Sequence, residues 1–281
     1  MKIYLAFFAL VLASQCCPIT NNPQDPRRKS FNDAEQQCAE YLFISRETLQ
    51  RYRKFNYPDE PSVHKLLNCI EIELNAWDED LQQIKDYVFS QFFVPNTVDC
   101  LYKQHTQQCL TRNTANLDKS DRLRQAYHSF QCYNHHYGGI SVERKWVPLH
   151  FSEVVQGLYD CMHIVPHTNQ SLLDYCQGRI LTNPDYPKLG YCFFGKSGFY
   201  NRNTGMDLEK LYIQFGDDHL INDDTRKCVA GVIDQYCKEP DRFGHIVLDC
   251  LIKYLPAGRD IGTAASNALG NPPECAVTPQ P

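Results

Sequence analysis

Pro58-Asp59-Glu60-Pro61-Ser62-Val63-His64-Lys65-Leu66-Leu67-Asn68-Cys69, with Trp77 eight residues on, is echoed by Pro184-Asp185-Tyr186-Pro187-Lys188-Leu189-Gly190-Tyr191-Cys192, with Tyr200 eight residues on. The agreement extends outwards. Cys38 stands 31 positions before Cys69, and Cys161 stands 31 before Cys192. Cys100 and Cys109 are 9 apart, as are Cys228 and Cys237, and Cys132 and Cys250 close the two series. Matches in one order identify two copies of one unit, joined near Val147-Pro148-Leu149. The expected division is a leader and processing region over 1–17, one domain over 18–146 and a second over 147–281.

Between the cysteines the apolar period is helical. Trp77, Leu81, Ile84, Val88 and Phe92 fall at the spacing of one helix face, and Leu208, Leu211, Tyr212 and Phe215 do so in the second copy. Val154, Leu158, Cys161 and Val165 open the second half in the same manner, and Phe243, Ile246, Val247, Cys250, Leu251 and Tyr254 end it. No sustained alternation of period two occurs. The expected fold class is all-α: short helices separated by Pro- and Asn-rich breaks and pinned by disulfides.

The 14 cysteines in 281 residues call for disulfides or metal, and the N-terminus decides between them. Lys2, the apolar run Ile3 to Leu12, and then Ala13 and Ser14 have the plan of a secretory signal peptide. About ten apolar residues are too few to span a bilayer. A cut after Ala13 retains Cys16 and Cys17; a later cut removes them. Asn169-Gln170-Ser171 is a glycosylation sequon that suits the same route. The expectation is a secreted, extracellular protein whose remaining cysteines form a disulfide framework. With 28 basic and 33 acidic residues the formal charge is −5, which excludes nucleic-acid binding driven by phosphate neutralisation.

A first cysteine, a Pro-Asp turn, and a cysteine followed eight residues later by an aromatic resemble the insect pheromone and general odorant-binding family. Ala126-Tyr127-His128-Ser129-Phe130-Gln131-Cys132-Tyr133, followed by His136-Tyr137-Gly138-Gly139, is similar to the closing helix of its mosquito members. The tandem arrangement is similar to their two-domain subgroup and to the long-form salivary proteins of blood-feeding flies. The resemblance implies, in each half, about six short helices around an apolar cavity. It also implies cysteines paired first with third, second with fifth and fourth with sixth. Here the second and fifth positions hold Lys65 and Leu123 in one half and Lys188 and Asp241 in the other, so one whole bridge is absent from each. The pairs implied are Cys38–Cys69, Cys109–Cys132, Cys161–Cys192 and Cys237–Cys250, with Cys176–Cys275 as a further bridge. Cys100 and Cys228 remain, either bridging the halves or with one of them displacing Cys109 or Cys237.

Catalytic patterns do not survive inspection. Gly190 to Ser197 satisfies G-x-x-x-x-G-K-[ST], yet the residues before it form a turn where a phosphate loop needs a buried strand. His163 and His167 are spaced as helical metal ligands, but Pro166 stands between them. No G-x-S-x-G or H-E-x-x-H is present. His135-His136 is read as a solvated helix end, with a pH-sensitive latch as its functional alternative. No enzyme, cofactor or metal is expected.

The resemblance leaves a cavity, and aromatic residues are plentiful. Candidate ligand-binding residues are Trp77, Phe92, Phe130 and Tyr133 in the first half, and Phe199, Tyr200, Phe215, Phe243 and Tyr254 in the second. Burying about 250 Å² of apolar ligand surface at about 25 cal/mol/Å² contributes about 6 kcal/mol. One or two hydrogen bonds carry that to micromolar affinity, near about −8 kcal/mol. Some of the salivary relatives take biogenic amines, but between Cys250 and Glu274 the only carboxylate is Asp260, so the expected ligand is apolar or lipid-like. The expected role is carriage or sequestration of small hydrophobic molecules. The rival is a structural or protein-interaction role with the pocket filled by side chains.

Overall fold

The computed structural model describes residues 27–275 apart from 116, 119, 237, 240, 256 and 257. The expected leader over 1–17, including Cys16 and Cys17, lies outside the described residues, as does Cys237. The described chain is mostly helical. In the first half the helices are α1 (Phe31–Tyr41), α2 (Arg46–Lys54), α3 (Pro61–Glu73), α4 (Asp86–Phe89), α5 (Tyr102–Thr114) and α6 (Arg122–Cys132). The second half has α7 (Phe151–Ile164), α8 (Asn169–Cys176), α9 (Tyr186–Lys196) and α10 (Leu208–Phe215). It continues with α11 (Asp223–Gln235), α12 (Asp241–His245) and α13 (Gly258–Ala268). After α6 and after α12 the coil widens into a π-turn, at Tyr133–Tyr137 and Ile246–Leu251.

Helix starts follow local chemistry. Ser30 and Asp33 cap α1 reciprocally, the Ser30 Oγ accepting from the Asp33 amide at 3.1 Å and the Asp33 carboxylate from the Ser30 amide at 2.8 Å. Asn222 caps α11 through the Thr225 amide at 2.8 Å. Both Pro-Asp turns run into helices, with Pro61 opening α3 and Pro187 in the first turn of α9.

The expected helix over 77–92 is not one helix. Trp77–Asp78 pairs with Gln83–Ile84 as a two-residue antiparallel ladder, and regular helix begins only at Asp86. The Asp78 carboxylate accepts from the amides of Asp80 and Leu81, at 3.0 and 2.9 Å, and so closes a turn that competes with helix. Leu81, expected on the apolar face, is exposed. Tyr200 occupies the matching place in the second half, where Tyr200–Asn201 pairs with Gly205–Met206. Two further ladders join Arg28–Lys29 to Lys145–Trp146 and Phe93–Pro95 to Gly138–Ile140.

Buried apolar residues form two clusters. One runs from Phe31 to Val147 and the other from Trp146 to Cys275, so the chain passes from one core to the next beside Val147. The junction is hydrogen-bonded. Asn75 Nδ2 donates to the carbonyls of Pro148 (3.2 Å) and Leu149 (2.9 Å). The Leu149 amide donates to Gln214 Oε1 at 2.7 Å, and Gln214 Nε2 returns a bond to the Leu149 carbonyl at 3.1 Å. Gly216 ends α10 with φ +76°, and a Cβ there would lie 2.5 Å from the Tyr87 ring, so glycine satisfies both the left-handed cap and the approach of the first half.

The bridges among the described residues are Cys38–Cys69, Cys109–Cys132, Cys161–Cys192, Cys176–Cys275 and Cys228–Cys250. Each contributes about 2–4 kcal/mol by restricting the unfolded chain. The Cys237–Cys250 pairing is corrected. Cys250 takes Cys228, which sits on α11 where that helix packs against the π-turn carrying Cys250. Cys228 therefore matches Cys109, with intervals of 22 and 23 to their partners, and the shared 9-residue spacing of Cys100/Cys109 and Cys228/Cys237 does not align equivalent positions. Cys100 is exposed and forms no bridge among the described residues. Mapping of non-reduced peptides should recover a Cys228–Cys250 species; a Cys237–Cys250 peptide in its place would contradict this connectivity.

Candidate functional site

A larger and a smaller candidate site stand out, and the larger lies in the first half, where the Trp77–Ile84 hairpin and α4 stand off from α5 and α6. The gap is a cavity of about 530 Å³, within the range of small-molecule sites. Its apolar wall is Leu81, Ile84, Tyr87, Leu110 and Leu117; the carboxylates of Asp78 and Asp86 and amides and hydroxyls such as those of Gln82, Gln107, Thr111, Gln125 and Ser129 line much of the rest. Gln125 Nε2 is tied to the Asp118 carbonyl at 3.0 Å, which fixes one polar corner. Lys85 lines the same cavity, its Nζ donating to Asn75 Oδ1 at 3.0 Å. Burial holds the Lys85 ammonium below the usual lysine range, against the opposing pull of Asp78 and Glu79.

The second feature is an apolar slot enclosed by α7, α9, α10 and α13. Val154, Leu158, Leu189, Phe193, Phe194, Phe215 and Ile261 make its walls. Close helix approach builds it: a Cβ on Gly157 of α7 would meet the Phe193 ring of α9 at 3.1 Å. Only about 50 Å³ of the slot is wide enough for the centre of a water molecule, so an occupant larger than water must displace side chains. Two polar groups reach it. Burial pushes the Tyr186 hydroxyl up to about 12, keeping it a neutral donor, and burial raises Asp260 above the usual carboxylate range despite Arg259.

Among known proteins, residues 20–136 match the PBP/GOBP family model. The match spans the first half and supports a likeness to the insect odorant-binding proteins. General odorant-binding protein 69 of Anopheles gambiae is 28% identical over 179 residues, covering 60% of this chain and 76% of that protein. No solved structure matches the chain. The larger cavity falls inside the segment that the PBP/GOBP model covers.

The nine aromatic candidates are distributed differently from their expected roles. Phe215 lines the slot. Phe92, Phe130 and Tyr133 are fully buried in the first core, where Phe130 packs on Phe31 (5.6 Å between centroids) and Tyr57 (4.8 Å) and Tyr133 on Phe89 (5.0 Å). Phe199, Tyr200 and Phe243 pack in the second core, and Tyr254 stacks on His219 at 5.0 Å. Trp77 lies under the Arg122 guanidinium at 5.2 Å. None of these eight lines the larger cavity or the slot. The cavity residues missed by sequence reasoning are mainly polar, and only Ile84 and Leu81 carried an apolar periodic signal.

The other motifs resolve locally. Gly190 to Lys196 are helical, so the phosphate-loop pattern has its amides committed inside α9. His163 packs on Tyr159 and His167 Nδ1 contacts the Val165 carbonyl at 2.6 Å; among the described residues no group of three metal-ligating side chains gathers. His135 is exposed and His136 faces His105 at 6.4 Å, away from both cavities.

Glu71 on α3 is fully enclosed, and neither carboxyl oxygen finds a donor among the described residues. Burial holds this group well above its ordinary value of 4.5, with Arg122 opposing. The folded state thus keeps a proton that the unfolded chain releases. Stability from this group is full below the unfolded value and declines as pH rises towards the folded one. Glu71→Gln should flatten the fall in melting temperature between pH 5 and pH 8; an unchanged slope would show that Glu71 does not carry it.

Proposed function

We propose that this chain is a secreted carrier or scavenger of small hydrophobic molecules, built from two tandem odorant-binding-like domains over 18–146 and 147–281. The observation that carries the reading is the ligand-sized cavity between the hairpin, α4, α5 and α6, within the segment that matches the PBP/GOBP family. Its aliphatic wall suits an alkyl or terpenoid body, and its amides suit one hydroxyl or carbonyl. The slot in the second half suits an apolar guest only where its lining side chains are displaced. The equal 31-residue bridges Cys38–Cys69 and Cys161–Cys192, and the hairpins that start at Trp77 and Tyr200, support duplication.

Secretion rests on the N-terminal sequence, on the disulfides, and on the absence of any described helix long and apolar enough to cross a membrane. Expression in insect cells should place the protein in the medium with its N-terminus beyond Ala13; retention with Met1 intact would overturn this. Ligand binding is tested by titrating the oxidised protein with a fluorescent naphthylamine probe. Enhanced emission, displaced by medium-chain alcohols at micromolar concentrations, is the expected result. No enhancement, and no protection of melting temperature by the alcohols, would overturn the reading.

A further inference from the structure

Lys85 is set apart from the other lysines in contact with cavities. Lys103 lines a small polar cleft between the halves, and Lys196, at the groove beside α7, is paired with Asp160. Asp78 and Asp86 line the same cavity, but among the described residues no carboxylate lies within ion-pair distance of Lys85, and its hydrogen-bond partner there is the neutral Asn75 carbonyl oxygen. That oxygen accepts an N–H, so the lone pair of the neutral amine is left free for another partner. Asn75 is itself held by the carbonyls of Pro148 and Leu149, which fixes the amine's anchor. The cavity beside it is large enough for a guest of medium chain length.

We infer that Lys85 captures aldehydes reversibly as an imine in the first-half cavity. The inference rests on the ligand-binding reading and names a ligand class for that site. After the ammonium gives its proton to solvent, the Nζ lone pair attacks the carbonyl carbon and a C–N bond forms. Proton transfer from nitrogen to oxygen gives a carbinolamine. The C–O bond then breaks, and the carbonyl oxygen leaves as water with the two hydrogens originally on nitrogen. Hydrolysis reverses the sequence, so no oxidant or reductant is consumed. The aldehyde's chain would lie against Leu81, Ile84, Leu110 and Leu117, which favours an aliphatic aldehyde over a small hydrated one. Desolvation, which lowers the charge on Lys85, raises the fraction of amine able to attack.

The test treats the oxidised, full-length secreted protein with nonanal at neutral pH, traps imines with cyanoborohydride, and locates alkylated lysines by peptide mass mapping. Lys85 is expected to be alkylated about tenfold or more faster than the exposed Lys54, Lys227 and Lys253, because a bound carbonyl is held beside it. Lys85→Met and Lys85→Arg should both lose that adduct, and 1-nonanol, the same chain without a carbonyl, is titrated against the wild type in parallel. Labelling spread over exposed lysines with no excess at Lys85 would overturn the inference. If 1-nonanol binds the wild type but no Lys85 adduct forms, only the aldehyde assignment fails; if 1-nonanol does not bind, the ligand-binding reading fails with it.

Discussion

Phe130→Ala is expected to destabilise the protein by about 3–5 kcal/mol, the range for emptying the place of a buried aromatic. The ring is fully buried and sits at the centre of an aromatic cluster, 5.6 Å from Phe31, 4.8 Å from Tyr57 and 6.2 Å from Phe93. Its loss removes burial and leaves the surrounding rings with no partner on one side. Those rings are held apart by covalent and polar ties. Cys132, two residues on, is bridged to Cys109, and Tyr57 donates to the buried Glu35 carboxylate at 2.7 Å, with Arg53 on the same carboxylate. The cluster therefore cannot close over the void, which places the cost towards the upper end. Chemical denaturation of the oxidised variant measures it. A loss under about 1 kcal/mol would mean that the ring has space on one side and borders a cavity, the role its sequence context suggested.

Leu110→Trp is expected to weaken ligand binding by about 30-fold with little loss of fold. Leu110 lies on α5 with its side chain in the wall of the larger cavity, and it is nearly buried. An indole there projects into space that the guest would use. Excluding about 80 Å² of ligand surface from the wall costs about 2 kcal/mol at about 25 cal/mol/Å², which is about 30-fold in affinity. Because the open volume is about 530 Å³, the larger ring has room and the helix need not move. Displacement titration against wild type reads the change. Equal affinity in the two proteins would place the guest elsewhere, with the slot lined by Phe215 as the remaining site.

The sequence carried the helical class and much of its punctuation, because caps, Pro-Asp turns and apolar spacing are local. α7 and α10 lie where Val154, Leu158 and Cys161, and Leu208, Leu211 and Phe215, repeat at helical intervals. The same spacing misled over 77–92, where the Asp78 side chain turns the chain before a helix can form. Periodicity reports which side chains point inward; it does not report which inward side chains border a void. Phe92, Phe130 and Tyr133 point inward and are packed solid, whereas the larger cavity is bounded by Gln107, Thr111 and Gln125, which have no apolar signature. The pairing of Cys250 was equally beyond spacing. Cys228 and Cys237 both fit the count, and the packing of α11 on the π-turn after α12 chose between them.

Native mass spectrometry of the oxidised protein, secreted from insect cells and titrated with 1-nonanol beside Leu110→Trp, tests the central claim most directly. The account predicts a co-purifying organic adduct or a nonanol adduct at low micromolar concentration in the wild type, strongly reduced in the variant. Bare protein at every concentration, with fatty acids and eicosanoids also ignored, would contradict a ligand-binding role and favour a protein that acts through its surface.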